Sequence, residues 1–452
     1  MQKLRFKPNE NWDLQYGFHF SETSDYARYD RHIRSKNGSP RYGEWYYGPQ
    51  KWMMNHLNIT HEKNNPIYDQ LTLRLAQQTF EESRHSRDFN QPDKESRYEN
   101  VDAWSINVDM NKSTTKNNTV FYGIEVVIND VTSTGLNKNI TTGSAMPGPS
   151  RYPESTWGSY AIFISNQFYI SDQMTLQAGA RYNQFTLDAS FDTTHYPFPF
   201  TTASINNGAL TGSLGFVFRP TEKWVLSANA STAFRAPNVD DMGKVFDSEP
   251  GHVVVPNPGL EAEYAYNADI SLVKLFGDIV KADLTAYYTS LQNAMVRRDH
   301  SMNGMDSMVY DGHMSRIQAI QNAAAANVYG LQAGIEVKLP ANFDFSSDFS
   351  FQKGEEELNN GSTSPSRHAA PWFGVSRLTY SVNKLDLQVN AMYSGEKAFE
   401  DMPEEEKAKD YMYAIDDNGN PYSPGWYTLN LKAMYALAEN LAVSAGLENI
   451  TD

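Results

Sequence analysis

The chain contains no cysteine, which excludes disulfide cross-links, thiolate metal sites and cysteine nucleophiles. It also lacks any long apolar run. Its longest apolar stretches fall far short of the roughly 20 residues that a membrane helix needs, so any crossing of a bilayer has to be made by strands that close on one another. The basic segment from Met1 to Asn11 is not followed by an apolar core and is therefore not a secretory signal.

Positive charge is outweighed as well: 38 Lys and Arg face 54 Asp and Glu, so the formal net charge is −16. Nucleic-acid backbones are bound by clustered Lys and Arg, and the sequence shows no such cluster, so we expect no nucleic-acid partner. Catalytic signals are missing too. There is no Gly-x-Ser-x-Gly motif, and no pattern brings an Asp and His pair to one strand end, so the chain is not expected to be an enzyme.

Aromatic residues are abundant in a chain whose mean hydropathy is polar, −0.58. That combination is typical of strands with one apolar and one wet face. Strict alternation supports it in Leu385–Ser394, in Phe343–Phe351 and in residues 329–339. In the last segment one face carries Tyr329, Leu331, Ala333, Ile335, Val337 and Leu339. Charged residues keep to the other face, as a membrane barrel requires, since Lys or Arg facing lipid at the midplane costs about 2–4 kcal/mol.

Two further segments, Tyr160–Ile170 and Trp372–Tyr380, carry apolar residues on both faces, and the sequence does not assign their faces. Two short runs, Glu404–Lys409 and Ala323–Ala326, are interpreted as brief helices in loops.

The connections between these strands alternate in length. Tight turns are predicted at Pro220–Lys223, Phe276–Asp278, Pro340–Asn342, Asn383–Lys384 and Ala438–Asn440. Long polar loops are predicted at Ala189–Gly208, Asn238–Glu261, Arg297–Asn322, Gly354–Ala370 and Glu396–Pro424. Short turns on the periplasmic side and long loops outside are the pattern of an outer-membrane barrel.

This pattern predicts an all-β, up-and-down antiparallel transmembrane barrel of about 17 strands, from Trp12–Ser21 to Leu441–Asn449. Both of these strands would run outward. A barrel that begins and ends in the periplasm needs an even number of strands, so we expect at least one strand after Asp452. The first and last strands should then not pair with each other.

Two short motifs flank the loop Asn238–Glu261. Phe234, Arg235, Ala236 and Pro237 close one strand, and Asn257, Pro258, Gly259 and Leu260 open the next. Proline lacks the N–H that a ladder needs, so it suits both places. The pair, with the residues up to Tyr266, resembles the FRAP and NPNL boxes of TonB-dependent receptors, haem and haemoglobin receptors among them. Gly259 stands where the family has Asn. The segment Gly446–Asp452 resembles the family's penultimate-strand ending.

The resemblance implies a 22-strand barrel in which this chain supplies strands 5 to 21. Residues 1–452 would then be a partial barrel, and the plug domain, the TonB box, the first four strands and the last strand would lie outside it. The implied function is energised import across the bacterial outer membrane of a scarce nutrient, haem or a ferric siderophore. No cofactor would be bound permanently. The implied partners are outer-membrane lipid, the extracellular ligand and, through the N-terminal region, the TonB complex.

Two other functions stay open at this point. One is a passive porin or structural outer-membrane barrel, and the other is a soluble binding protein of several sheets. A plug-like domain upstream would favour the importer, and partitioning into buffer without detergent would favour the soluble protein.

Two residues are candidates for ligand binding. His252 lies where haem receptors of the family carry a loop histidine that ligates iron, and imidazole is a proper axial ligand for haem iron. The alternative is a solvent-exposed polar residue, since several other loops also carry histidines, among them His195. Arg235 falls on the lumen face of its strand, where it either contacts the plug or an anionic ligand or pairs with a neighbouring carboxylate.

Overall fold

The architecture is that of a computed structural model, which describes residues 1–36, 38–196, 198–247, 251–310, 313–358, 361–366, 369–407 and 410–451. In that part of the chain eighteen long strands follow one another: Gln2–Asn9, Trp12–Glu22, Lys51–Glu62, Gln70–Asp88, Asp93–Thr115, Asn118–Asn139, Glu154–Ser171, Met174–Ser190, Thr202–Thr221, Trp224–Arg235, Glu263–Phe276, Val280–Asp299, His313–Leu339, Phe343–Glu357, Phe373–Val382, Leu385–Ser394, Trp426–Ala438 and Leu441–Leu447.

The connections contain short elements. The short strands are Tyr26–Ala27, Ser35–Lys36, Ser39–Pro40, Tyr42–Tyr47, Ala145–Gly148, Phe246–Asp247, His252–Val254, Ser307–Tyr310, Thr363–Pro365, Ala414–Ile415 and Pro421–Tyr422. The α-helices are Tyr29–His32, Val239–Gly243 and Glu404–Lys407, and the 3₁₀ turns are Phe399–Asp401 and Asp410–Met412. Within the described residues no helix has the length and apolar character that crossing a membrane requires.

Each long strand pairs antiparallel with the next, which is up-and-down order. This confirms the predicted fold class. Trp12–Glu22 pairs with Gln2–Asn9 and Lys51–Glu62, whereas Leu441–Leu447 pairs with Trp426–Ala438. Among the described pairings, the first and last long strands are not joined to each other.

The structure adds one strand to those predicted. Gln2–Asn9 pairs with Trp12–Glu22 through a two-residue turn. The sequence signal for this strand is the alternation of Leu4 and Phe6 with basic residues, and it lies before Trp12, where the predicted barrel begins. Both apolar side chains are exposed, like those that face lipid elsewhere.

The apolar faces point outward as predicted. In His313–Leu339 the side chains of Tyr329, Leu331 and Ile335 are 43%, 46% and 38% exposed. They lie opposite outward residues of the neighbouring strand, such as Phe351 beside Leu331, because directly paired residues share a face. The same pairing assigns the ambiguous strand Glu154–Ser171. Its exposed Ile162 and Ile164 pair with Ile124 and Tyr122, so the even-numbered residues face outward.

The strands are longer than a bilayer needs. His313–Leu339 has 27 residues and Asp93–Thr115 has 23, whereas about 9–11 tilted residues cross the hydrocarbon core. The predicted tight turns are confirmed, because strands such as Phe373–Val382 and Leu385–Ser394 are joined by two residues. The extra length therefore extends beyond the membrane on the long-loop side. There the strand ends surround the opening of the barrel, which we call the mouth.

The buried cores also lie at this mouth. One contains Phe185, Leu187, Met242 and Leu260, and a second is formed by Val245, Val253, Val255, Met302, Ile317 and Ala319. Pairing between Thr202–Thr221 and Trp224–Arg235 ends at Ser231. Past that point the strand Trp224–Arg235 no longer pairs with Thr202–Thr221, and residues 236–247 and 251–262 fold inward to supply part of both cores.

Candidate functional site: an arginine-lined cavity

A cavity of about 770 Å³ lies at the long-loop end. Its walls come from the first long connection, from the strand ends around Arg84–Asp88 and Asp93–Arg97, and from residues 149, 151, 195–196, 305, 307–310 and 314. Seven arginines line it among the described residues: Arg28, Arg31, Arg41, Arg84, Arg87, Arg97 and Arg151. The lining carboxylates are three, Asp88, Asp93 and Glu95. In a chain of net charge −16, this is a local excess of positive charge.

Aromatic rings hold several of these guanidinium groups in place. The short strand Tyr42–Tyr47 pairs with the end of Gln70–Asp88, and alternation puts Trp45 and Tyr47 on one face. Arg28 lies 5.2 Å and Arg31 5.5 Å from the Trp45 ring centroid. Arg84 lies 5.0 Å from the Tyr47 ring. An arginine that stacks on a ring can still donate hydrogen bonds from the edge of its guanidinium group, so these groups remain able to bind an anion.

The helix Tyr29–His32 contributes a fixed ion pair to this wall. Arg28 donates two hydrogen bonds to Asp30, at 2.7 and 2.5 Å, and a third to the Tyr47 hydroxyl at 3.2 Å. Burial alone would raise the pKa of Asp30, but the hydrogen bonds and charge of Arg28 lower it on balance. The Asp30 carboxylate therefore stays ionised to a lower pH than an ordinary aspartate and keeps the Arg28 guanidinium oriented.

The cavity lining also contains apolar and aromatic side chains. These are Met305, Met308, Val309 and Met314 together with Tyr196 and Tyr310, and Tyr310 is hydrogen-bonded to Arg97. The rings of Tyr196 and Tyr310 are stacked with centroids 6.3 Å apart, and both pack against the second core. Thioether and aromatic side chains adapt well to a flat apolar ligand. The cavity lining thus combines cationic side chains with apolar and aromatic ones.

Two histidines line the cavity. His195 is exposed, and its ring nitrogens make no hydrogen bond within the described part of the chain. His85 is partly buried and stacks on Tyr46 at 4.7 Å. Its two ring nitrogens are 2.9 and 3.0 Å from the Ser96 and Ser83 hydroxyls.

The two sequence motifs at Phe234 and Asn257 meet at the first core. Pro237 and Leu260 are buried there, with Phe234 and Ala236 packed against them. Asn257 donates to the Ile320 carbonyl at 2.7 Å and accepts from the Gly259 amide at 3.0 Å, while Pro258 is partly buried. These contacts tie the ends of the inward-folded loop to the barrel, so the motifs lie in the loop base and not in the cavity lining.

Arg235 is held by carboxylates. It contacts Asp241 at 2.7 and 2.8 Å and Glu263 at 3.5 Å. Asp241 also completes the capping box of the helix Val239–Gly243, whose N-cap is Asn238. Arg235 does not line the arginine cavity, and its position matches the predicted alternative of a carboxylate pair.

His252 lies in the short strand His252–Val254, which pairs parallel with Arg316–Gln318. It is partly buried, next to the fully buried Val253, and is not among the residues that line the cavity. The loop is at the mouth, but the histidines that line the cavity are His85 and His195.

A polar network fastens the inward-folded loop to the cavity wall. The Tyr152 hydroxyl donates to Asp240 at 2.6 Å, and Lys244 donates to the same carboxylate at 2.6 Å. Arg151, which lines the cavity, is 3.7 Å from both Asp240 and Glu82. Burial, and then the Asp240 charge, raise the pKa of Tyr152, so its hydroxyl remains a donor.

Sequence reasoning missed the arginine cavity. No Lys or Arg cluster was expected, yet the fold gathers arginines from segments more than 100 residues apart. The available signal was arginine at every third position, at Arg28, Arg31 and Arg34 and at Arg84 and Arg87, beside aromatic residues.

Comparison with known proteins places the chain among receptors. The family model described as "TonB dependent receptor-like, beta-barrel" matches residues 4–450. Haemoglobin-haptoglobin utilization protein B of Neisseria meningitidis is 25% identical over 329 residues, which are 67% of this chain and 39% of that protein. An iron-regulated outer membrane virulence protein of Vibrio cholerae is 22% identical over 51% of this chain and 33% of its own length.

Solved structures share the fold. The copper transporter OprC superposes with a TM-score of 0.75 at 13% identity, covering 99% of this chain and 65% of that one. The hemophore receptor HasR of Serratia marcescens, solved with its hemophore HasA and heme, gives 0.70 at 14% identity, covering 99% and 67%. The chain therefore spans about two thirds of these receptors and a smaller share of the curated relatives.

Proposed function

Because this chain belongs to the TonB-dependent receptor-like β-barrel family of the bacterial outer membrane, we propose that it forms the barrel of an energised importer of a scarce iron complex, haem or a ferric siderophore. An N-terminal plug domain and the TonB complex would complete the importer. Haemoglobin-haptoglobin utilization in the name of one relative, and heme in the structure of HasR, support iron complexes as cargo. OprC is a copper transporter, so the fold alone does not select the ligand.

The observation that carries the proposal is the arginine cavity at the mouth. Haem and many ferric siderophores are anions, and guanidinium groups pair with carboxylates and related oxygens through paired hydrogen bonds. A basic cleft with low-dielectric walls also raises the local concentration of an anion. A passive porin has less use for guanidinium groups that aromatic rings and carboxylates hold in fixed orientations.

The test is growth of a strain that lacks the gene and is starved of iron by a chelator. The full-length gene is returned as wild type, as Arg31→Gln/Arg41→Gln, or as Arg219→Gln. Arg219 is exposed near a turn at the opposite end of the barrel and serves as the matched control. Wild type and control should restore growth on haem or on a ferric siderophore, and the double variant should restore it poorly. If no iron complex depends on the wild-type gene for growth, the proposal is wrong.

A further inference from the structure

We infer that Glu99 binds and releases a proton inside the polar network at the mouth, and that this proton holds the inward-folded loop, residues 236–247 and 251–262, closed against the barrel. The device goes beyond the proposed import function. It does not depend on which ligand the chain takes, because it is built entirely from side chains of the wall and the loop.

Glu99 is a buried carboxylate. Its residue is 5% exposed, and neither carboxylate oxygen has a hydrogen-bonding partner within the part of the chain that the structure describes. It lies on the strand Asp93–Thr115, between the lipid-facing Trp104 and the outer end of the strand, and is therefore beyond the membrane. An ionised carboxylate without a partner is costly to bury, so the protonated form is favoured there.

A second carboxylate faces Glu99. Glu82, on the neighbouring strand, is directly opposite it, so the two side chains share one face of the ladder. Like charges in this arrangement are destabilising. Glu82 accepts hydrogen bonds from Arg84 at 2.7 Å and from Gln50 at 3.1 Å, so its own charge is compensated. Glu99 is therefore the member of the pair that takes up the proton.

A separate segment of backbone covers Glu99. On its other side the residue directly opposite is Ser133. The Ser133 hydroxyl accepts hydrogen bonds from the backbone amides of Arg151 at 3.1 Å and Tyr152 at 3.3 Å. Because the Tyr152 hydroxyl donates to Asp240, this covering segment is tied to the inward-folded loop. Water reaches Glu99 only when the covering segment and the loop move.

The charged and titratable groups around Glu99 come from four elements. They are Arg97 on its own strand, Glu82 and Arg84 on the opposite strand, Arg151 and Tyr152 in the covering segment, and Asp240 and Lys244 in the inward-folded loop. Burial raises the pKa of Glu99 to about 7, with the charge of Arg84 acting against it and that of Glu82 adding to it. Glu99 therefore changes its charge near neutral pH.

Loss of the proton works against closure through Arg151. This guanidinium is 3.7 Å from both Glu82 and Asp240, so one cation is shared between the wall and the loop. Ionised Glu99 adds a third carboxylate to that pair. The added negative charge is buried and faces Glu82, and it is relieved when the cover opens to water.

The direction of the pH dependence follows from the two forms of the mouth. In an open form water reaches Glu99, and its pKa returns toward the ordinary value of about 4.3. Between that value and the raised one, the closed form binds more protons than the open form. Closure is therefore strongest in acid and weakens as the pH rises through this window, and above it both forms are ionised and the balance is constant.

The test is hydrogen exchange of the backbone amides in residues 236–247, followed by mass spectrometry. It uses the purified full-length gene product in detergent between pH 5.5 and 8. Protection factors divide out the intrinsic pH dependence of exchange, so they report how often the loop opens. The variants are Glu99→Gln, which has the shape of the protonated acid without its titration, and Glu81→Gln. Glu81 is next to Glu82 but exposed, and serves as the matched control.

We expect the wild-type protection factors of the loop to fall by roughly tenfold or more from pH 5.5 to 8, the scale set by a carboxyl whose pKa differs by more than one unit between two forms. Glu81→Gln should follow the wild type. Glu99→Gln should stay protected at every pH.

A third variant keeps the inference testable even if Glu99→Gln does not fold. Glu82→Gln removes the charge that faces Glu99, so the midpoint of the fall should move to lower pH. A carboxylate with a merely structural role would not move a midpoint. The inference is overturned if wild-type protection does not change with pH, if Glu99→Gln shows the same fall, or if the midpoint in Glu82→Gln does not move. None of these outcomes bears on the import function, because no ligand is present.

Discussion

At the scale of single residues, glycine makes room for tyrosine. Gly330 is directly opposite Tyr287 on the lumen face, and Gly374 is directly opposite Tyr393 on the outward face, which Gly374 shares with its other partner Phe349. A Cβ on Gly330 would lie 2.4 Å from the Phe351 carbonyl oxygen and 2.6 Å from the Tyr287 hydroxyl. The backbone oxygen cannot move without disturbing the ladder. Space, and not an unusual backbone angle, therefore requires glycine here.

Gly330→Ala should lower the stability of the barrel by about 1–3 kcal/mol, the usual cost of overpacking. Gly215→Ala is the matched control, since the nearest atom to its added Cβ is the Asn229 Oδ1 at 3.6 Å. Thermal unfolding of the two variants in detergent measures the difference. Equal midpoints would show that the crowding at Gly330 is relieved by movement.

Strand faces were predictable wherever lipid imposed a simple period. The alternation at Tyr329–Leu339 is clear because only one side of that strand meets hydrocarbon. In Tyr160–Ile170 the lumen side is apolar too, with Phe163 lying against Gly123. Two apolar faces remove the alternation, so only the pairing with Asn118–Asn139 assigns them.

At the scale of elements, pairing overrides local preference. Ala323–Ala326 was interpreted as a brief helix because alanine favours helices, but this interpretation is wrong. The run belongs to the strand His313–Leu339, where Ala324 is opposite Ala294 and Ala326 is opposite Leu291. Propensity is a weak signal for four residues, and ladder hydrogen bonds outweigh it.

The inward-folded loop depends on a few polar contacts. Tyr152→Phe removes the hydrogen bond to the Asp240 carboxylate, a contact of about 1.5–3 kcal/mol at full strength. The segment around the helix Val239–Gly243 should then open more often. Trypsin should cleave faster after Lys244, whose side chain is 16% exposed. Tyr29→Phe, at an 80% exposed position, should leave the rate unchanged. Equal rates for both variants would mean that the cores alone hold the loop.

At the scale of the whole molecule, the barrel could be predicted and the cavity could not. Period-two alternation and turn lengths are local, so they are visible in sequence. The cavity depends on which loops fold inward and meet. Arg28 and Arg151 come from two separate connections, and they meet Arg97 of the strand Asp93–Thr115 only because both connections lie against it.

The lipid-facing residues of the strands should not tolerate a charged side chain. Ile335→Arg places a guanidinium on the lipid face in the part of the strand His313–Leu339 that adjoins the tight turn and crosses the membrane, where such a charge costs about 2–4 kcal/mol at the midplane. Gln332→Arg puts the same group on the lumen face and should insert normally. The measurement is the amount of each folded variant in isolated outer membranes, and we expect less of Ile335→Arg than of Gln332→Arg. Equal amounts of the two variants would contradict the assignment of Ile335 to the lipid face and Gln332 to the lumen face.

The arginine cavity is set in a chain of net charge −16, and this has a kinetic consequence. At about 0.01 M salt the repulsion from the acidic exterior reaches about 30 Å, whereas near physiological ionic strength it fades within about 8 Å. A dilute medium therefore slows the encounter of an anion with the mouth, and added salt removes that barrier before it weakens the partly buried guanidinium groups. Association should speed up as salt rises toward physiological levels, the reverse of ordinary electrostatic steering. An anion should therefore reach the arginine cavity fastest in a saline medium.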